Sequence, residues 1–370
     1  MNQQSQTRPD TSVPRDLLRG LRGYWYPVAT SEDIPTEKPV PIRRLGEDLV
    51  AWRDGSGTVS VFIDRCPHRG ARLSIGDVID GRLQCRYHGL QYDATGQCKF
   101  IPAEGKLDGR QTRHLCCTTR HGQEAAGLVW AYFPTSAGEN PPPLVLEPEL
   151  TDPGHASTVW MSVWNANWLL VHDNTCDPAH VPFLHGHFVS HPDNGEVRIE
   201  KMEDGNPIVT EEGFGGLIQG AMTAKTTDTK VLVELKDRGP DTSNEFGEVC
   251  FTLPCLASVY VPLPDGGPPV RLHQYELPVD EHTTVVFAWA GRPAPADARD
   301  ATTAFLKEGF IPLTSMVFAD DSWIVENQPD VDEAWASESL LPIDVGPPRV
   351  RKLMRTAYEQ TDSRGRLGVD

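Results

Sequence analysis

Two short segments in the first third of the chain each pair one cysteine with one histidine. Cys66 and His68 stand in CPHRGA, Cys85 and His88 stand in CRYHGL, and 16 residues separate the two pairs. Thiolates and imidazoles are the side chains that bind zinc and iron–sulfur centres. Glycines follow closely in both segments and permit tight turns. The spacing therefore predicts two matching loops that hold one metal centre.

The distribution of these donors favours an iron–sulfur cluster over zinc. A structural zinc ion draws four ligands around one atom, whereas in a Rieske [2Fe–2S] centre two cysteines bind one iron and two histidines bind the other. The C-x-H-x16-C-x-x-H arrangement closely resembles the Rieske signature. This resemblance assigns Cys66, His68, Cys85 and His88 to a [2Fe–2S] cluster, and a Cys2His2 zinc site is the alternative.

The cluster loops also indicate which kind of Rieske protein this is. High-potential Rieske proteins of respiratory complexes carry an additional cysteine in each loop, and CPHRGA and CRYHGL have none. The loops resemble those of low-potential Rieske ferredoxins and oxygenases. About 230 residues follow the first domain, far more than a ferredoxin needs. We therefore expect a second centre that receives the electron.

The segment DPAHVPFLH supplies candidates for that second centre, since Asp177, His180 and His185 fall within nine residues. Two neutral imidazoles and one carboxylate form the facial triad of non-heme Fe(II) oxygenases, which leaves positions open for O2 beside the substrate. His180 and His185 are the candidate iron ligands, and replacement of His185 by His187 is the alternative. Asn174 is a candidate to line the pocket beside the iron.

With both motifs, residues 24–328 resemble the oxygenase component of the Rieske non-heme iron oxygenases, and NTCDPAH is similar to the iron-binding helix of that family. Members of this architecture have a carboxylate just before a V-x-E-x-Q-like run. Matching Glu326 and Gln328 to that run assigns the third iron ligand to Asp321, with Asp320 as the alternative. Neighbouring helical residues point about 100° apart, so we expect only one of the two to face the iron.

The resemblance also gives Asp177 a role between the two centres. It implies that this carboxylate links His88 of one subunit to the iron-binding His180 of the next, so that electrons cross between the subunits of a ring, typically a homotrimer. The alternative is a cap on the helical turn that begins at Pro178, a position where Asp is favoured.

The family resemblance predicts an enzyme that activates O2 and oxidises a small aromatic or polycyclic molecule. Its electrons are expected from NADH or NADPH through a separate reductase or ferredoxin, because the chain shows neither a dinucleotide fingerprint nor plant-type ferredoxin spacing. The compact length and the WYPV run favour hydroxylation or oxidative demethylation, with ring cis-dihydroxylation as the alternative. A Rieske electron carrier or redox sensor without oxygenase activity, and a zinc-stabilised binding protein, are the alternatives from other classes.

Two folded units must position these residues. Short strands with apolar alternation, such as LVAWRD, VSVFID and LVWAYF, predict an all-β domain around the cluster loops. Strand-like runs over 197–290, a helix over 297–328 broken near Pro312 and a last helix over 348–360 predict an antiparallel sheet with helices. The expected fold is α+β, with a catalytic domain of the helix-grip (START-like) kind.

The Pro- and Gly-rich run PTSAGENPPPLVLEPELTDPG predicts a linker between the two units. The expected division is a flexible tail over 1–20, a Rieske domain over 21–135, a linker over 136–156 and a catalytic domain with the mononuclear iron over 157–370. The Gly-rich segment 210–230 predicts a lid or an entrance loop.

Composition excludes several classes of partner. The net charge of −18 disfavours nucleic acid and anionic membrane surfaces. The chain contains no apolar run long enough to span a membrane and no apolar segment of the signal-peptide kind, and eight cysteines do not indicate a secreted disulfide framework. The cytoplasm is the expected compartment.

Charge near the cluster loops differs from the charge of the whole chain. Residues 64–99 hold six basic and four acidic side chains. Arg69 and Arg86 lie inside the cluster loops, and we expect them at the rim where the electron donor docks.

Overall fold

The computed structural model describes residues 13–105, 114–185, 222–235, 248–261 and 267–366. His187 and positions 210–221 of the predicted entrance loop lie outside these residues. The strands are β1 (Tyr24–Thr30), β2 (Val40–Arg44), β3 (Glu47–Arg53), β4 (Val59–Ile63), β5 (Asp77–Ile79), β6 (Arg82–Gln84), β7 (Gln91–Tyr92), β8 (Cys98–Phe100), β9 (Thr119–Arg120), β10 (Gly122–Ala125), β11 (Leu128–Phe133), β12 (His155–Trp164), β13 (Met222–Thr226), β14 (Lys230–Leu235), β15 (Val249–Thr252), β16 (Leu256–Val261), β17 (Val270–Pro278) and β18 (Thr284–Pro293). The helices are α1 (Arg15–Leu18), α2 (Trp168–Thr175), α3 (Val181–Leu184), α4 (Arg299–Phe305), α5 (Ile311–Glu326), α6 (Val331–Ser337) and α7 (Pro347–Arg366).

The N-terminal strands form three small antiparallel sheets in the described residues, with the orders β1-β11-β10, β2-β3-β4-β9 and β5-β6-β7-β8. The first cluster loop leads from β4 to β5, and the second connects β6 to β7. A separate apolar cluster, which includes Trp52, Phe62, Leu83 and Tyr92, packs beneath both loops. The loops are therefore mounted on a core of their own.

The second unit is built on a seven-stranded antiparallel sheet with the order β12-β18-β17-β16-β15-β14-β13. Side chains on a strand alternate between the two faces. On β17, Tyr275 contacts Trp130 of β11, with ring centroids 5.0 Å apart. The next residue, Glu276, contacts α2 on the other face, where its carboxylate accepts a hydrogen bond of 2.6 Å from Thr175. The sheet thus lies between the N-terminal domain and the helices.

The helices present a small number of residues to this sheet. Helix α5 buries Thr314, Phe318, Asp321 and Val325, which recur every three to four residues and so lie on one face. A π-helical turn over Leu306–Phe310 joins α4 to α5 without leaving helical backbone angles, and Pro312 lies directly after it, in the first turn of α5. The helix predicted over 297–328 is therefore found over 299–326, with a π turn in place of the break expected near Pro312.

The α+β class, with a β-rich first domain and an antiparallel catalytic sheet carrying helices, is confirmed. The predicted tail 1–20 is wrong in its last residues, because α1 lies there and Leu17 is buried in the core. The Leu17 carbonyl also accepts a hydrogen bond of 3.0 Å from the indole of Trp168. Residues 1–12 lie outside the described chain, and the other boundaries stay predictions. No helix among the described residues is long and apolar enough to cross a membrane.

Candidate metal centres

The two cluster loops have the same backbone geometry. The Cys66 carbonyl accepts a hydrogen bond of 2.9 Å from the N–H of Gly70, and the Cys85 carbonyl accepts one of 2.9 Å from Gly89. Both glycines have positive φ angles, 75° and 73°, which residues other than glycine rarely adopt. A Cβ on Gly89 would also lie 2.7 Å from Pro102 Cγ. The sequence thus forms two equivalent loops that differ by one residue in the position of their histidine.

These loops bring together all four predicted cluster residues. The sulfurs of Cys66 and Cys85 are buried and face each other, so that the Cys85 thiol lowers the pKa of Cys66 through a hydrogen bond. His68 and His88 lie at the exposed surface, with ring centroids 4.6 Å apart. Two inner sulfurs and two outer imidazoles are the donor set of a Rieske cluster, in which the cysteine and histidine ligands bind different irons. The residues therefore fit a [2Fe–2S] cluster.

Tyr92 is a neighbour of the cluster that sequence reasoning missed. Its hydroxyl lies 3.1 Å from Cys66 Sγ. A hydroxyl that donates to a cluster sulfur withdraws charge from it and tunes the reduction potential. Tyr92 follows Cys85 by seven residues and lies in a strand, and this spacing does not predict a contact with Cys66.

The surface around the two histidines is basic and aromatic. Arg69 and Arg86 are exposed beside them, and neither forms an ion pair with a residue in the described part of the chain. Tyr87 is 59% exposed and its ring lies 3.9 Å from that of His88. The tip of this domain thus offers two unpaired guanidinium groups and an aromatic ring to a partner.

The second candidate centre lies where α2, α3 and α5 meet. His180 Nε2 is 3.3 Å from Asp321 Oδ1, and His185 Nε2 is 3.0 Å from the same oxygen. One nitrogen from each histidine and one carboxylate oxygen all lie within 4.8 Å of one another. Three donors of this type, converging from two separate segments, fit a divalent cation such as ferrous iron.

The carboxylates of Asp320 and Asp321 lie on opposite sides of the His185 ring. Asp320 Oδ2 is 3.4 Å from Nδ1, while Asp321 lies at Nε2. A carboxylate on the far nitrogen of a ligand histidine fixes its tautomer and orientation. Asn174 donates a hydrogen bond of 3.0 Å to Asp321 Oδ1, which places its side chain beside the converging atoms.

The electrostatics of the triad suit a cation. Burial raises the pKa of Asp321, but hydrogen bonds from His180 and His185 outweigh that effect and lower the pKa to about 2. Burial lowers the pKa of His185, but Asp321 and Asp320 together raise it more, so that the net shift is upward. The carboxylate thus stays charged, and a metal ion can take the place of the protons that the imidazoles share with it.

Asp177 caps the turn that carries His180. Its Oδ1 accepts a hydrogen bond of 2.9 Å from the N–H of Ala179, and Pro178 starts the turn. Within the described chain Oδ2 has no hydrogen-bond partner, so the cap uses only one of the two oxygens. Burial raises the pKa of this carboxyl group. Asp177, Asn174 and His180 line a cleft of about 590 Å³ between α2, α5 and the start of α7.

The wall of this cleft contains a second feature that the sequence did not indicate. Arg351 of α7 donates to both oxygens of Asp173 on α2, at 2.9 and 3.0 Å, and pairs with Glu338. The Trp335 indole donates to Asp173 at 2.8 Å and lies under the guanidinium. We call this group the α2–α7 clasp. Its partners are up to 178 residues apart, which is why no local pattern predicted it.

His172, which neighbours the site in sequence, is completely buried and contacts the equally buried Glu276 of β17. The structure places it beneath α2, away from the converging atoms, so it anchors the helix to the sheet.

Two protein families match the chain. The Rieske [2Fe-2S] domain family matches residues 24–113. The vanillate O-demethylase oxygenase C-terminal domain family matches residues 164–360, which is more than half of the chain. The four cluster residues lie within the first match and the triad within the second.

Two curated relatives illustrate the range of the similarity. The chloroplastic protein TIC 55 of Arabidopsis thaliana is 34% identical over 200 residues, which cover 52% of this chain and 35% of that protein. The methylxanthine N1-demethylase NdmA of Pseudomonas putida is 28% identical over 366 residues, which cover 95% of this chain and 93% of that protein. The chain spans between 29% and 56% of the length of the first four curated relatives that it matches.

Among solved structures, the carbazole-bound oxygenase in the ferredoxin complex of carbazole 1,9a-dioxygenase is similar, with a TM-score of 0.71 and 24% sequence identity. The match covers 95% of this chain and 94% of that one. At this level of identity the likeness supports the fold.

Proposed function

Since the chain belongs to the Rieske non-heme iron oxygenases and has the catalytic domain of the vanillate O-demethylase oxygenase family, we propose that it is the terminal oxygenase of a system with a separate electron donor. It takes electrons that originate from NADH or NADPH through a reductase or ferredoxin. It uses them with O2 to hydroxylate or oxidatively demethylate a small aromatic or polycyclic molecule.

The observation that carries this proposal is the convergence of His180 and His185 on one oxygen of Asp321. These three residues would hold a mononuclear ferrous ion, which when bound supplies a site for the binding and reduction of O2. His180 and His185 contribute neutral donors, and Asp321 contributes the charge. Asp320 orients His185, and Asn174 orients Asp321.

Cys66, His68, Cys85 and His88 would hold the [2Fe–2S] cluster that stores one electron at a time. Asp177 is proposed as the link between His88 of one subunit and His180 of the next. Two observations support this role: Oδ2 of Asp177 has no hydrogen-bond partner among the described residues, and the side chain lines an open cleft.

A head-to-tail homotrimer is proposed because the cluster tip and the cleft complement each other in charge. The tip carries Arg69 and Arg86, which are exposed and have no ion pair among the described residues. The cleft is lined by four carboxylates and one guanidinium group, namely Asp173, Asp177, Glu338, Asp344 and Arg351. A surface that fits a different surface of the next copy generates a ring. The part of this basic rim that the neighbouring subunit leaves uncovered is the proposed docking site for an acidic electron donor.

Oxidative demethylation or hydroxylation is favoured over cis-dihydroxylation. The similarity to the demethylase NdmA extends along nearly the whole chain and supports this choice. The carbazole dioxygenase structure has the same fold, and for that reason cis-dihydroxylation is retained as the second candidate.

The test is substrate-dependent O2 consumption by the iron-replete protein, supplied with NADH and a generic reductase–ferredoxin pair. A panel of aryl methyl ethers and N-methyl heterocycles serves as the probe. In demethylation, one O2, two electrons and two protons convert the methoxy compound to the phenol, formaldehyde and water. We expect formaldehyde equal to O2 consumed. A cis-diol without formaldehyde would support the second candidate, and no O2 consumption beyond that of an Asp321→Ala variant would contradict oxygenase function.

A further inference from the structure

Gln274 is a buried amide on β17 without a side-chain partner. It is 6% exposed, and none of the side-chain hydrogen bonds among the described residues includes it. Its amide atoms are not among those sealed from solvent without a partner, so the small exposed part of the residue includes its polar end. A nearly buried amide whose polar end stays open can complete its hydrogen bonds with a ligand.

The side chain of Gln274 faces the helices that carry the candidate iron ligands. Residues two apart on a strand share a face and lie about 7 Å apart. Glu276 reaches Thr175 of α2 on that face, whereas Tyr275 faces the N-terminal domain. Helix α2 also carries Asn174, which bonds to Asp321. Gln274 therefore lies below the region between α2 and α5.

The row of strand residues that crosses the sheet at Gln274 is apolar. Its cross-strand neighbours are Ala288 on β18 and Ala257 on β16, which have short side chains. The next positions outward in the same row are aromatic, namely Trp160 and Phe251. Small side chains between aromatic ones accommodate a planar ring better than a branched aliphatic molecule.

A second polar group in this row is also unpaired. The indole Nε1 of Trp160 is buried and has no hydrogen-bond partner in the described residues. The Trp160 ring stacks on Phe318 of α5, with centroids 6.0 Å apart, one helical turn before Asp321. The row therefore combines an aromatic wall with two unpaired polar groups on the side of the iron site.

The charge on this face indicates a neutral ligand. Among the described strand residues, Arg292 is the one cation on the face. It lies four positions from Ala288 along β18, about 13 Å away, and its guanidinium covers the ring of Phe305. A carboxylate placed at Gln274 would thus lack a cation to pair with, and burial of an unpaired charge is unfavourable.

We infer that Gln274 binds the substrate of the proposed oxygenase, and that this substrate is a neutral planar ring whose edge presents a hydrogen-bond donor beside an acceptor, as a lactam does. The carboxamide offers an acceptor oxygen and a donor nitrogen side by side, so it pairs with such an edge through two hydrogen bonds. The inference rests on the proposed function, because it places the ring below the candidate iron site. Gln274 is then a specificity-determining residue.

The test is an anaerobic calorimetric titration of the holoenzyme with three probes of similar shape. The probes are 2-quinolone, which has a lactam edge, naphthalene, which has no polar edge, and 2-naphthoate, which is charged. We expect 2-quinolone to bind at least about 10-fold more tightly than the other two, the discrimination typical of a buried polar group left unpaired by the wrong ligand. Gln274→Leu should remove this preference and leave the affinity for naphthalene unchanged.

The control is Gln123→Leu, the same substitution at an exposed position on β10, which should bind all three probes like the parent. A thermal melt checks folding, and Gln274→Leu should not lower the melting temperature, because it removes an unpaired buried amide. Equal binding of 2-quinolone by the parent and Gln274→Leu, or a preference of the parent for 2-naphthoate, would overturn the inference. Failure of the proposed function would appear separately, as missing iron or missing O2 consumption, because the titration needs neither turnover nor an electron donor.

Discussion

Asp320 and Asp321 are neighbours in the sequence, yet they approach different nitrogens of the same imidazole. Asp321 lies on the buried face of α5 and meets His180 and His185 at their ε nitrogens. Asp320 is turned by one residue and meets Nδ1 of His185. Because neighbouring helical residues point about 100° apart, Asp321 can bind a metal ion while Asp320 can orient the ligand His185.

Removal of the Asp321 carboxylate should release the mononuclear iron and spare the cluster. We expect Asp321→Ala to retain less than about one-tenth of that iron with unchanged labile sulfide, because two imidazoles alone hold ferrous iron weakly. Asp320→Ala is the matched control and should keep a bound ion at about 10–100-fold lower affinity. Metal analysis after dialysis against a weak chelator measures both, and the reverse result would exchange the two roles.

The hydroxyl of Tyr92 should tune the cluster. Tyr92→Phe removes the donor 3.1 Å from Cys66 Sγ, and a hydrogen bond of about 1 kcal/mol corresponds to roughly 40 mV for one electron. We expect the reduction potential to fall by about that amount, since the reduced, more negative cluster loses the larger stabilisation. A redox titration followed by electron paramagnetic resonance gives the potential, and an unchanged value would remove Tyr92 from the cluster environment.

Local spacing predicted the pairs within each loop or turn, namely Cys66 with His68, Cys85 with His88, and His180 with His185. Asp321 lies 136 residues from His185, so its place at the second centre was predicted from the family resemblance and depends on the packing of α5. Tyr92 and Gln274 could not be found in this way. Their surroundings depend on the pairing of strands, and a contact across a sheet leaves no trace in local spacing.

At the level of elements, the two cluster loops depend on glycines that adopt the left-handed conformation. Gly89 combines φ of 73° with a neighbour, Pro102, that leaves no room for a Cβ. Gly105 has nearly the same φ of 72°, and no atom lies within 4 Å of the place where its Cβ would be. A comparison of substitutions at Gly89 and Gly105 therefore distinguishes the effect of a steric clash from the effect of the left-handed backbone conformation.

Gly89→Ala should destabilise the Rieske domain more than Gly105→Ala does. Both variants bear the left-handed penalty of about 1–2 kcal/mol, and only the first also displaces Pro102 and the loop that carries His88. We expect partial loss of labile sulfide in Gly89→Ala and full retention in Gly105→Ala. Equal sulfide contents and equal denaturation midpoints would show that the loop tolerates the added methyl group.

The α2–α7 clasp is a second feature at the level of elements, because it joins α2, the helix that precedes Asp177, to α7. Arg351→Met should leave Asp173 buried without its cation and cost about 3–5 kcal/mol. Arg349→Met is the control, since Arg349 is on the same helix and, among the described residues, its side chain donates only to a backbone carbonyl. Urea denaturation monitored by circular dichroism compares the two, and equal midpoints would show that the clasp contributes nothing.

The order of the strands and helices could be predicted from the sequence, but most contacts between them could not. Apolar alternation predicted the strands, and Pro312 predicted an irregularity that is found as the π turn directly before it. The clasp and the contact between His172 and Glu276 join segments about 100 residues or more apart. Such pairs form only after the sheet and helices are assembled, so no local pattern reveals them.

At the scale of the whole molecule, the proposed ring requires surfaces that a single chain leaves exposed. The outer face of α5 carries Leu313, Met316 and Trp323, which are 44%, 50% and 61% exposed. They recur at helical spacing and form one apolar stripe beside the acidic cleft. An exposed stripe of this kind suits contact with a second copy, which supports the homotrimer.

Electron transfer between subunits can be tested by complementation. Cys85→Ser should lack the cluster, and Asp177→Ala should keep both metal centres but lack the link, so neither alone should turn over substrate. In mixed trimers, an intact cluster on the Asp177→Ala subunit can serve an intact Asp177 on its neighbour. We expect co-expression to restore about a quarter or less of the parental rate, measured as O2 consumption. Parental activity of Asp177→Ala alone, or no recovery in the mixture, would argue for a different path.

The central claim is that one chain holds both a [2Fe–2S] cluster and a separate ferrous ion. Iron and acid-labile sulfide, determined on the same anaerobically purified sample, test it most directly. The account predicts about three iron atoms and about two sulfides per chain, with zinc absent. A sample that contains zinc and no labile sulfide, or iron and sulfide in equal amounts, would contradict it.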